Sequence, residues 1–350
     1  MTADAAGGVG VFADELARAL VARGHQVLVV VFSPTQPAFS PGLPRLWAPF
    51  RLEWMDCDGS STPVAADAFQ ARAFLVDIAR HWRPDVLHSN HFAYAGALAR
   101  VPTVLTVHSD VISWWRTVRG SAPPDNAYQR WYAALAQQAI ACSPCLVAPS
   151  RSARRDLKVS FPVRRAVQVI YNGHDPALFP QRPKQRFALA AGRLWDDGKQ
   201  LSLLGKLPRA LPIEIVLAGE QRHPLSPAPT TPPAGPRTLG ALPSEALREV
   251  MARARVYIGT SLYEPFGLAA LEAALSGCAL FLNDIPSWRE LWAPVGCFYS
   301  NLVELRALLE RAAEDAGWAQ ERGAAARRHA SRRYTAARLG EAYESAYRGV

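Results

Sequence analysis

Two glutamates eight positions apart, Glu264 and Glu272, are the residues of this sequence best suited to chemistry. Glu264 lies in a loop after the predicted strand VYIG, and Glu272 lies in the second turn of the helix that follows. Because side chains lean toward the N-terminus of a helix, the Glu272 carboxylate can face a ligand bound there. Carboxylates accept hydrogen bonds from sugar and ribose hydroxyls, and the free N–H groups near Gly267 and Leu268 can hold phosphate. An exposed helix acid is the alternative, but it does not explain why Glu272 interrupts the apolar stretch 268–275.

Two cations six positions apart, Arg193 and Lys199, form a second candidate site after the predicted strand FALAA. Arg grips phosphate oxygens in a fork and Lys acts as a point charge, so that the pair can bind a diphosphate. Two solvated surface charges are the alternative. The Gly-Gly-Val-Gly segment at 7–10 precedes an amphipathic helix and offers N–H groups to phosphate, with a structural tight turn as its alternative.

Apolar runs alternate with amphipathic segments along the whole chain. The run 26–32 (QVLVVVF) is continuous and rich in β-branched residues, as expected of a strand covered on both faces. Further strands are predicted at 85–88, 103–108, 146–149, 167–170, 187–191, 213–218, 256–259, 279–282 and 297–299. This alternation predicts parallel sheets with right-handed crossovers, which bind ligands at the carboxyl ends of their strands.

The length of 350 residues predicts two domains. The segment 172–184, with Gly173 and three prolines, is the predicted linker, so that the domains span 1–171 and 185–325. Helices at 326–350 are expected to pack back toward the N-terminal domain. A second proline-rich stretch, 224–236, holds six prolines and is predicted to be a surface loop, because strands and helices resume after it.

The composition is that of a globular protein, with 49% hydrophobic and 20% charged residues. The net charge of +9 is spread over both halves of the chain. It favours anionic ligands without singling out nucleic acid, which we do not expect as a partner. The six arginines between 322 and 338 are expected on the solvated face of a C-terminal helix, with peripheral membrane contact as the alternative.

The five cysteines are too few and too scattered for a disulfide framework. Cys142 and Cys145 form a C-x-x-C, but no second pair follows that would complete a zinc site. Because 145–148 has the pattern of a buried strand, core thiols are favoured over a redox pair. The N-terminus lacks a basic region followed by an apolar run, and no stretch of eighteen apolar residues occurs. We therefore expect a cytoplasmic protein.

The segment 261–278 resembles the E-x7-E element of the family 4 retaining glycosyltransferases of the GT-B fold. Other segments agree with that family in sequence order: AGGVG at 6–10, LTVH at 105–108, APS at 148–150, NGHD at 172–175, the Arg193 and Lys199 pair, Leu239-Gly240, and NDIP at 283–286. The resemblance covers nearly the whole chain. It implies two Rossmann-like domains with parallel sheets facing across a cleft, the first on the acceptor side and the second binding a nucleotide sugar. It also implies a hexosyltransferase that moves a sugar from a nucleotide-diphosphate donor to a hydroxyl acceptor with retention.

The resemblance implies a role for each matching residue. Arg193 and Lys199 would neutralise the leaving nucleotide diphosphate in place of a metal. Glu264 would hold hydroxyls of the transferred sugar, Glu272 would hold the ribose, and His108 would lie beside the sugar with its backbone carbonyl facing the reacting carbon. The other donor-binding positions would be Gly7, Gly8, Phe266, Gly267 and Leu268, with Leu239 and Gly240 near the base.

His88, Asn90 and His91 follow an N-terminal strand and are candidates for acceptor binding, with ordinary polar residues at a strand end as an equal alternative. No metal or cofactor is expected, because the nearest approach to an Asp-x-Asp motif, at 56–58, lies outside the matching segments. The two glutamates could also serve a glycosidase, but their place at a helix start beside a diphosphate argues against it. A nucleotide-sugar 2-epimerase, a phosphorylase and a degenerate nucleotide-sugar-binding protein remain alternatives.

The first strand of the N-terminal domain is expected to be truncated. Family members begin with an apolar strand that runs into Thr-Ala-Asp and Gly-Gly, whereas here Met1 falls at what should be the end of that strand. The strand is central in a doubly wound sheet. We therefore predict that the native protein carries an upstream extension of about five to ten residues rich in Val, Ile and Leu, with a substitute strand as the alternative.

Overall fold

The computed structural model describes residues 1–5, 7–37, 39, 42–55, 61–223, 226 and 228–350. The chain divides into two compact units: unit 1 consists of Met1–Gly173 and Ala336–Val350, and unit 2 consists of His174–Thr335. The chain therefore passes from unit 1 to unit 2 after Gly173 and returns after Thr335.

Helices and strands alternate through both units. The strands are β1 (Thr2–Asp4), β2 (Val29–Phe32), β3 (Arg45–Ala48), β4 (Leu87–Ser89), β5 (Thr103–Thr106), β6 (Cys145–Ala148), β7 (Val167–Val169), β8 (Gln185–Ala191), β9 (Glu214–Ala218), β10 (Arg237–Thr238), β11 (Ala254–Gly259), β12 (Ala279–Asn283) and β13 (Cys297–Tyr299). The helices are α1 (Gly8–Val21), α2 (Thr62–Trp82), α3 (Val111–Val118), α4 (Ala127–Cys142), α5 (Arg151–Ser160), α6 (Ser244–Arg253), α7 (Leu268–Leu275), α8 (Pro286–Trp292), α9 (Leu302–Glu314), α10 (Ala316–Arg333) and α11 (Ala336–Arg348). No described helix is both long and apolar enough to cross a membrane.

Unit 1 contains two parallel sheets, ordered β1-β2-β3 and β4-β5-β6-β7. Strands such as β2 (VVVF) are buried at every residue, which is why they appear in the sequence as continuous apolar runs. The C-terminal helix α11 returns to this unit, where Glu344 forms an ion pair with Arg23 after the end of α1.

The first strand of unit 1 is present as three residues. It pairs in parallel with β2, with Thr2 opposite Val30. On the side of β4, the backbone N–H of Asn90 donates to the Thr2 hydroxyl oxygen at 3.0 Å, and the Asn90 amide donates to the Thr2 carbonyl at 2.6 Å. The Asn90 side chain thus links the two sheets at the position where the sequence predicts a truncated central strand.

Unit 2 is built on one parallel sheet of six strands, ordered β10-β9-β8-β11-β12-β13. Its core consists of buried side chains from these strands and from the helices α9 and α10, including Phe281, Leu305 and Leu309. Because β8 and β11 are neighbours at the centre, the loops that follow them leave the same edge of the sheet side by side.

The two crossings between the units differ from the predicted domain limits. The sequence predicts a linker at 172–184, whereas His174 already belongs to unit 2, where its N–H donates to the carbonyl of Tyr334 at 3.1 Å. The sequence predicts that the C-terminal return begins at residue 326, whereas the structure places it at Ala336. Helix α10 stays in unit 2, because Arg327 donates hydrogen bonds to the carbonyl oxygens of Phe179 and Leu275 there.

Candidate active site

The loops that follow β8 and β11 are bonded to each other at the carboxyl edge of the unit 2 sheet. The carbonyl oxygen of Gly198 accepts the N–H of Leu262 at 2.9 Å and that of Tyr263 at 3.4 Å. The Thr260 hydroxyl donates to the carbonyl oxygen of Lys199 at 2.6 Å. These bonds fix the backbone of the Arg193–Lys199 loop against the loop that carries Glu264.

Each of the two candidate diphosphate-binding cations is paired with a carboxylate. Lys199 Nζ lies 2.5 Å from Glu264 Oε2, and the two side chains are 23% and 14% exposed. Arg193 Nη2 lies 2.6 Å from Asp196 Oδ2, while Asp196 Oδ1 accepts the N–H of Gly198 at 2.9 Å. With both acids ionised, the four side chains carry no net charge. A diphosphate that binds both cations must therefore share or displace the two carboxylates.

Helix α7 begins beside this cluster and carries Glu272. Gly267 precedes the helix with φ of 88°, and a Cβ at this position would lie 2.9 Å from Trp288 Nε1 and 3.1 Å from Glu264 Cγ, so that the turn requires glycine. Glu272 Oε1 lies 3.3 Å from Nε2 of His174, a residue of the predicted NGHD segment. Glu264 thus lies beside the turn that begins α7, and Glu272 lies within that eight-residue helix.

Buried aromatic residues surround the start of α7. Phe266 packs edge-on against Tyr334, with ring centroids 5.6 Å apart. Burial, followed by the negative charges of Glu264 and Glu272, raises the pKa of Tyr257 above its usual range. Leu268 is the first residue of the helix, whose first N–H groups have no intrahelical acceptor by geometry.

The loop predicted to lie near the base is joined to the Arg193 loop through backbone contacts. Leu239 continues the pairing with β9, and the carbonyl of Gly240 accepts the N–H of Gly219 at 2.8 Å. Gly219 has φ of 153°, and a Cβ there would lie 1.7 Å from the carbonyl oxygen of Gly192. Leu239 and Gly240 therefore share the carboxyl edge of the sheet with the cation cluster.

In unit 1, His108 is a partly buried, neutral histidine. Its Nε2 lies 2.9 Å from Oδ1 of Asn90, and its ring packs edge-on against Phe12 of α1 at 4.5 Å between centroids. Burial lowers the pKa of His108 to about 3, an effect that the charge of Asp4 opposes. A neutral imidazole that bonds an amide oxygen must carry its proton on Nε2, so the tautomer of His108 is set by Asn90.

His91 forms a buried pair with Asp4. Its Nε2 contacts Asp4 Oδ1, and its Nδ1 lies 3.0 Å from the Thr2 hydroxyl. Burial acts to lower the pKa of His91, but the charge of Asp4 and the hydrogen bond to it prevail and raise the pKa. Nearby, burial raises the pKa of Glu53, whose Oε1 accepts the N–H of Phe92 at 2.8 Å.

His88 has both ring nitrogens engaged within unit 1. Nδ1 lies 2.6 Å from the hydroxyl of Tyr347 on α11, and Nε2 lies 2.9 Å from the hydroxyl of Thr106. The Tyr343 hydroxyl lies 2.8 Å from the same Thr106 oxygen, and burial lowers the pKa of His88 well below its usual value. Of the two readings left open by the sequence, the contacts of His88 favour a structural one, in which it docks α11 onto β4 and β5.

The remaining residues singled out in the sequence are the glycines before α1, the two cysteines of the C-x-x-C, and positions that the structure does not describe. Gly7 caps the N-terminus of α1 with φ of 83°, and Gly8 is the first residue of that helix. Cys142 is an exposed free thiol and Cys145 is a buried one, with its pKa raised by burial. Ala6 and the segment 56–58 lie outside the described residues.

Comparison with known proteins places this architecture in a family. Residues 6–178 match the family model for Glycosyltransferase Family 4, and residues 184–297 match the model for Glycosyl transferases group 1. The sucrose-phosphate synthase of Thermosynechococcus elongatus has the same fold, with a TM-score of 0.79 over 98% of this chain and 93% of that chain, at 16% identity. The chain is a family 4-like glycosyltransferase of the GT-B fold.

One sequence relative and one further structure of the same fold match nearly the whole length of this glycosyltransferase. Glycogen synthase of Mycobacterium tuberculosis is 29% identical over 367 residues, which cover 92% of this chain and 86% of that protein. Anabaena HepE, solved in complex with UDP-glucose, has a TM-score of 0.69 and 19% identity over 100% of this chain and 99% of that chain. The predicted family and the predicted fold are therefore confirmed.

Three acids of the glycosyltransferase that the sequence does not single out stand beside the candidate residues. Asp196 bonds Arg193 from three positions away, a spacing that was readable in the sequence. Asp4 ends β1, and its position at the carboxyl end of a strand was a usable signal. Glu53 lies in no motif, and nothing in the sequence marks it as a neighbour of His91.

The unit 2 cluster of this glycosyltransferase has the parts required to hold an anion and hydroxyl groups together. Arg193 and Lys199 supply positive charge at fixed positions, and the start of α7 supplies N–H groups. Glu264, in the loop before α7, and Glu272, within α7, supply hydrogen-bond acceptors. Preorganised charge of this kind stabilises a leaving group that becomes negative as its bond breaks.

Proposed function

We propose that this glycosyltransferase moves a sugar from a nucleoside-diphosphate donor to a hydroxyl acceptor, with retention at the anomeric carbon and without a metal ion. The observation that carries the proposal is the pairing of Lys199 with Glu264 across the loops after β8 and β11, which are bonded together beside Arg193 and lead into the helix that carries Glu272. The complex of HepE with UDP-glucose supports a uridine nucleotide sugar as the first donor to test.

The two cations act on the leaving group. As the bond between the anomeric carbon and the diphosphate oxygen breaks, its electron pair stays on the diphosphate, which becomes more negative. Arg193 and Lys199 stabilise this charge where a metal ion would otherwise do so. Their carboxylate partners, Asp196 and Glu264, hold the cations in place while no anion is bound.

The two glutamates act on the neutral parts of the donor. Glu264 accepts hydrogen bonds from hydroxyls of the transferred sugar, and Glu272 accepts them from the ribose. The base lies along Leu239 and Gly240, whose backbone groups are held at the same edge of the sheet. The proposal thus assigns each part of a nucleotide sugar to a described part of unit 2.

Retention follows from attack on the face that the leaving group departs from. The acceptor oxygen forms a bond to the anomeric carbon, and its proton passes to an oxygen of the departing diphosphate. The reaction therefore needs no side chain as a base. In unit 1 we assign His108 to the sugar, Gly7 and Gly8 to the donor, and Asn90 and His91 to the acceptor. Because its pKa is about 3, the His108 imidazole is uncharged near pH 7.

A panel of nucleotide sugars tests this proposal. The full chain is titrated with UDP-, ADP- and GDP-sugars by calorimetry, and slow hydrolysis of the bound donor is followed by proton NMR. We expect at least one donor to bind and the released sugar to appear first as the anomer present in the donor. Appearance of the opposite anomer would contradict retention, and the absence of binding across the panel would contradict the function itself.

A further inference from the structure

Backbone contacts hold His174 in place. It is the first residue of unit 2, and its N–H donates to the carbonyl of Tyr334 at 3.1 Å. It also forms a parallel bridge with Thr335, the last residue of unit 2. The two chain segments that connect the units are therefore joined to each other at His174.

The side chain of His174 is directed by packing as well. The residue is 2% exposed, and its ring packs edge-on against buried Phe179 with centroids 5.3 Å apart. In this position Nε2 lies 3.3 Å from Oε1 of Glu272, whose side chain is 15% exposed. An imidazole held in this way cannot turn into solvent without disrupting the packing around Phe179.

Glu272 is a carboxylate in an otherwise apolar helix. Its neighbours on α7, Leu271 and Ala273, are fully buried, so the side chain leaves the helix among apolar groups. A partly buried carboxylate is stabilised by a nearby donor, which also limits its rotation. The His174 imidazole is placed to be such a donor, because its Nε2 lies within ion-pair distance, 3.3 Å, of one of the two carboxylate oxygens.

We propose that His174 is a positioning residue that orients the Glu272 carboxylate toward the ribose hydroxyls of the donor. This inference rests on the proposed role of Glu272 in ribose binding and deepens it. It assigns a function to the histidine of the NGHD segment, which the family resemblance leaves without one. It also ties ribose recognition to the segment through which the chain enters unit 2.

The test separates the ribose from the rest of the nucleotide. Whichever of UDP, ADP and GDP binds the full chain most tightly is compared with its 2′,3′-dideoxy analogue, by calorimetry. In the wild type we expect the ribonucleotide to bind more tightly than the analogue. In His174→Leu we expect affinity for the ribonucleotide to fall by about tenfold while affinity for the analogue stays within about twofold. His174→Gln, which keeps a side-chain donor, should recover most of the loss.

Two variants separate failure of the inference from failure of the proposed function. Glu272→Ala should abolish the preference for the ribonucleotide, and the double variant His174→Leu/Glu272→Ala should lose no more than Glu272→Ala alone. If Glu272→Ala keeps the preference, the assignment of Glu272 to the ribose is wrong. If Glu272→Ala loses the preference but His174→Leu keeps it, or if His174→Leu weakens both ligands equally, His174 has only a structural role.

Discussion

At the scale of single residues, the cation cluster of unit 2 is neutralised by its own carboxylates. Lys199 is held by Glu264, and Arg193 by Asp196, at distances of 2.5 and 2.6 Å. A carboxylate beside a lysine makes the site less attractive to a second anion, because charges close together in a partly buried site are screened weakly. Glu264 therefore has two effects under our proposal: it binds the sugar, and it competes with the diphosphate for Lys199.

The variant Glu264→Gln separates these two effects. Removing the negative charge should tighten the binding of inorganic pyrophosphate by about three- to tenfold, since Lys199 loses its competing partner. The same variant should slow sugar transfer, because an amide is a weaker acceptor for the sugar hydroxyls than a carboxylate. Calorimetry with pyrophosphate provides the measurement, and Glu310→Gln, an acid paired with Arg306 on the exposed side of α9, is the matched control. Weaker pyrophosphate binding in Glu264→Gln would show that Glu264 supports the anion site instead of competing for it.

At the scale of elements, the position of the Arg193 loop depends on a contact between two glycines. Gly192 follows β8, and its carbonyl oxygen would lie only 1.7 Å from a Cβ placed on residue 219. The same residue, Gly219, donates its N–H to Gly240. The loops after β8, β9 and β10 are therefore packed backbone to backbone around Gly219, which leaves no room for a side chain at that position.

Substitution of Gly219 tests this packing. We expect Gly219→Ala to lower the free energy of unfolding by about 2–5 kcal/mol, because both the backbone conformation and the contact with Gly192 are lost. Gly235→Ala is the control: this glycine also has a positive φ, of 108°, but no atom within 4 Å of a Cβ, so the cost should be about 1 kcal/mol. Chemical denaturation measures both. Equal costs for the two variants would mean that the contact with Gly192 is unimportant.

Asp110, the N-cap of α3, is expected to make the stability of the protein depend on pH. Asp110 is 5% exposed and accepts the N–H of Ser113 at 2.7 Å, and burial raises its pKa to about 6 although that hydrogen bond lowers it. Because the unfolded chain releases this proton near pH 4, the folded state binds more protons between pH 4 and 6. The contribution of Asp110 to stability is therefore greatest at low pH and is lost as the pH rises through about 6.

Asp110→Asn removes this titration while keeping a capping side chain. Relative to the wild type, the free energy of unfolding of the variant should be higher at pH 7.5 than at pH 4.5 by about 1–3 kcal/mol. Urea denaturation at the two pH values gives the difference directly. A difference between variant and wild type that does not change with pH would show that Asp110 does not titrate in this range.

The sequence predicts the strands and helices better than it predicts which of them lie side by side. Buried strands such as β2 (VVVF) and β9 (EIVLA) are visible because apolar runs with β-branched residues mark them. The partly exposed strands β3 (RLWA) and β10 (RT) have no such run, and the sequence does not predict them. The pairs Lys199 with Glu264 and His174 with Glu272 join residues that are far apart in the chain. The first pair depends on β8 lying next to β11, and the second on the bridge between His174 and Thr335, neither of which a local pattern reveals.

At the scale of the whole molecule, the chain is organised so that its C-terminus completes the unit with which it begins. Helix α11 docks on unit 1 through Tyr347, which bonds His88, and through Glu344, which pairs with Arg23. This use of His88 was not predictable, because its partner lies 259 positions away. The structure also shows that β1 is present as three residues at the edge of its sheet, with Asn90 joining it to β4.

The central claim is that unit 2 supports sugar transfer by side-chain cations without a metal. Release of nucleoside diphosphate from a nucleotide sugar, measured in the presence of an acceptor alcohol and excess EDTA, tests it most directly. We expect full activity of the wild type in EDTA and a kcat lower by about two orders of magnitude in both Arg193→Ala and Lys199→Ala, with Arg306→Ala unchanged as the control. Loss of wild-type activity in EDTA with rescue by manganese or magnesium, or wild-type turnover in both cation variants, would contradict the account.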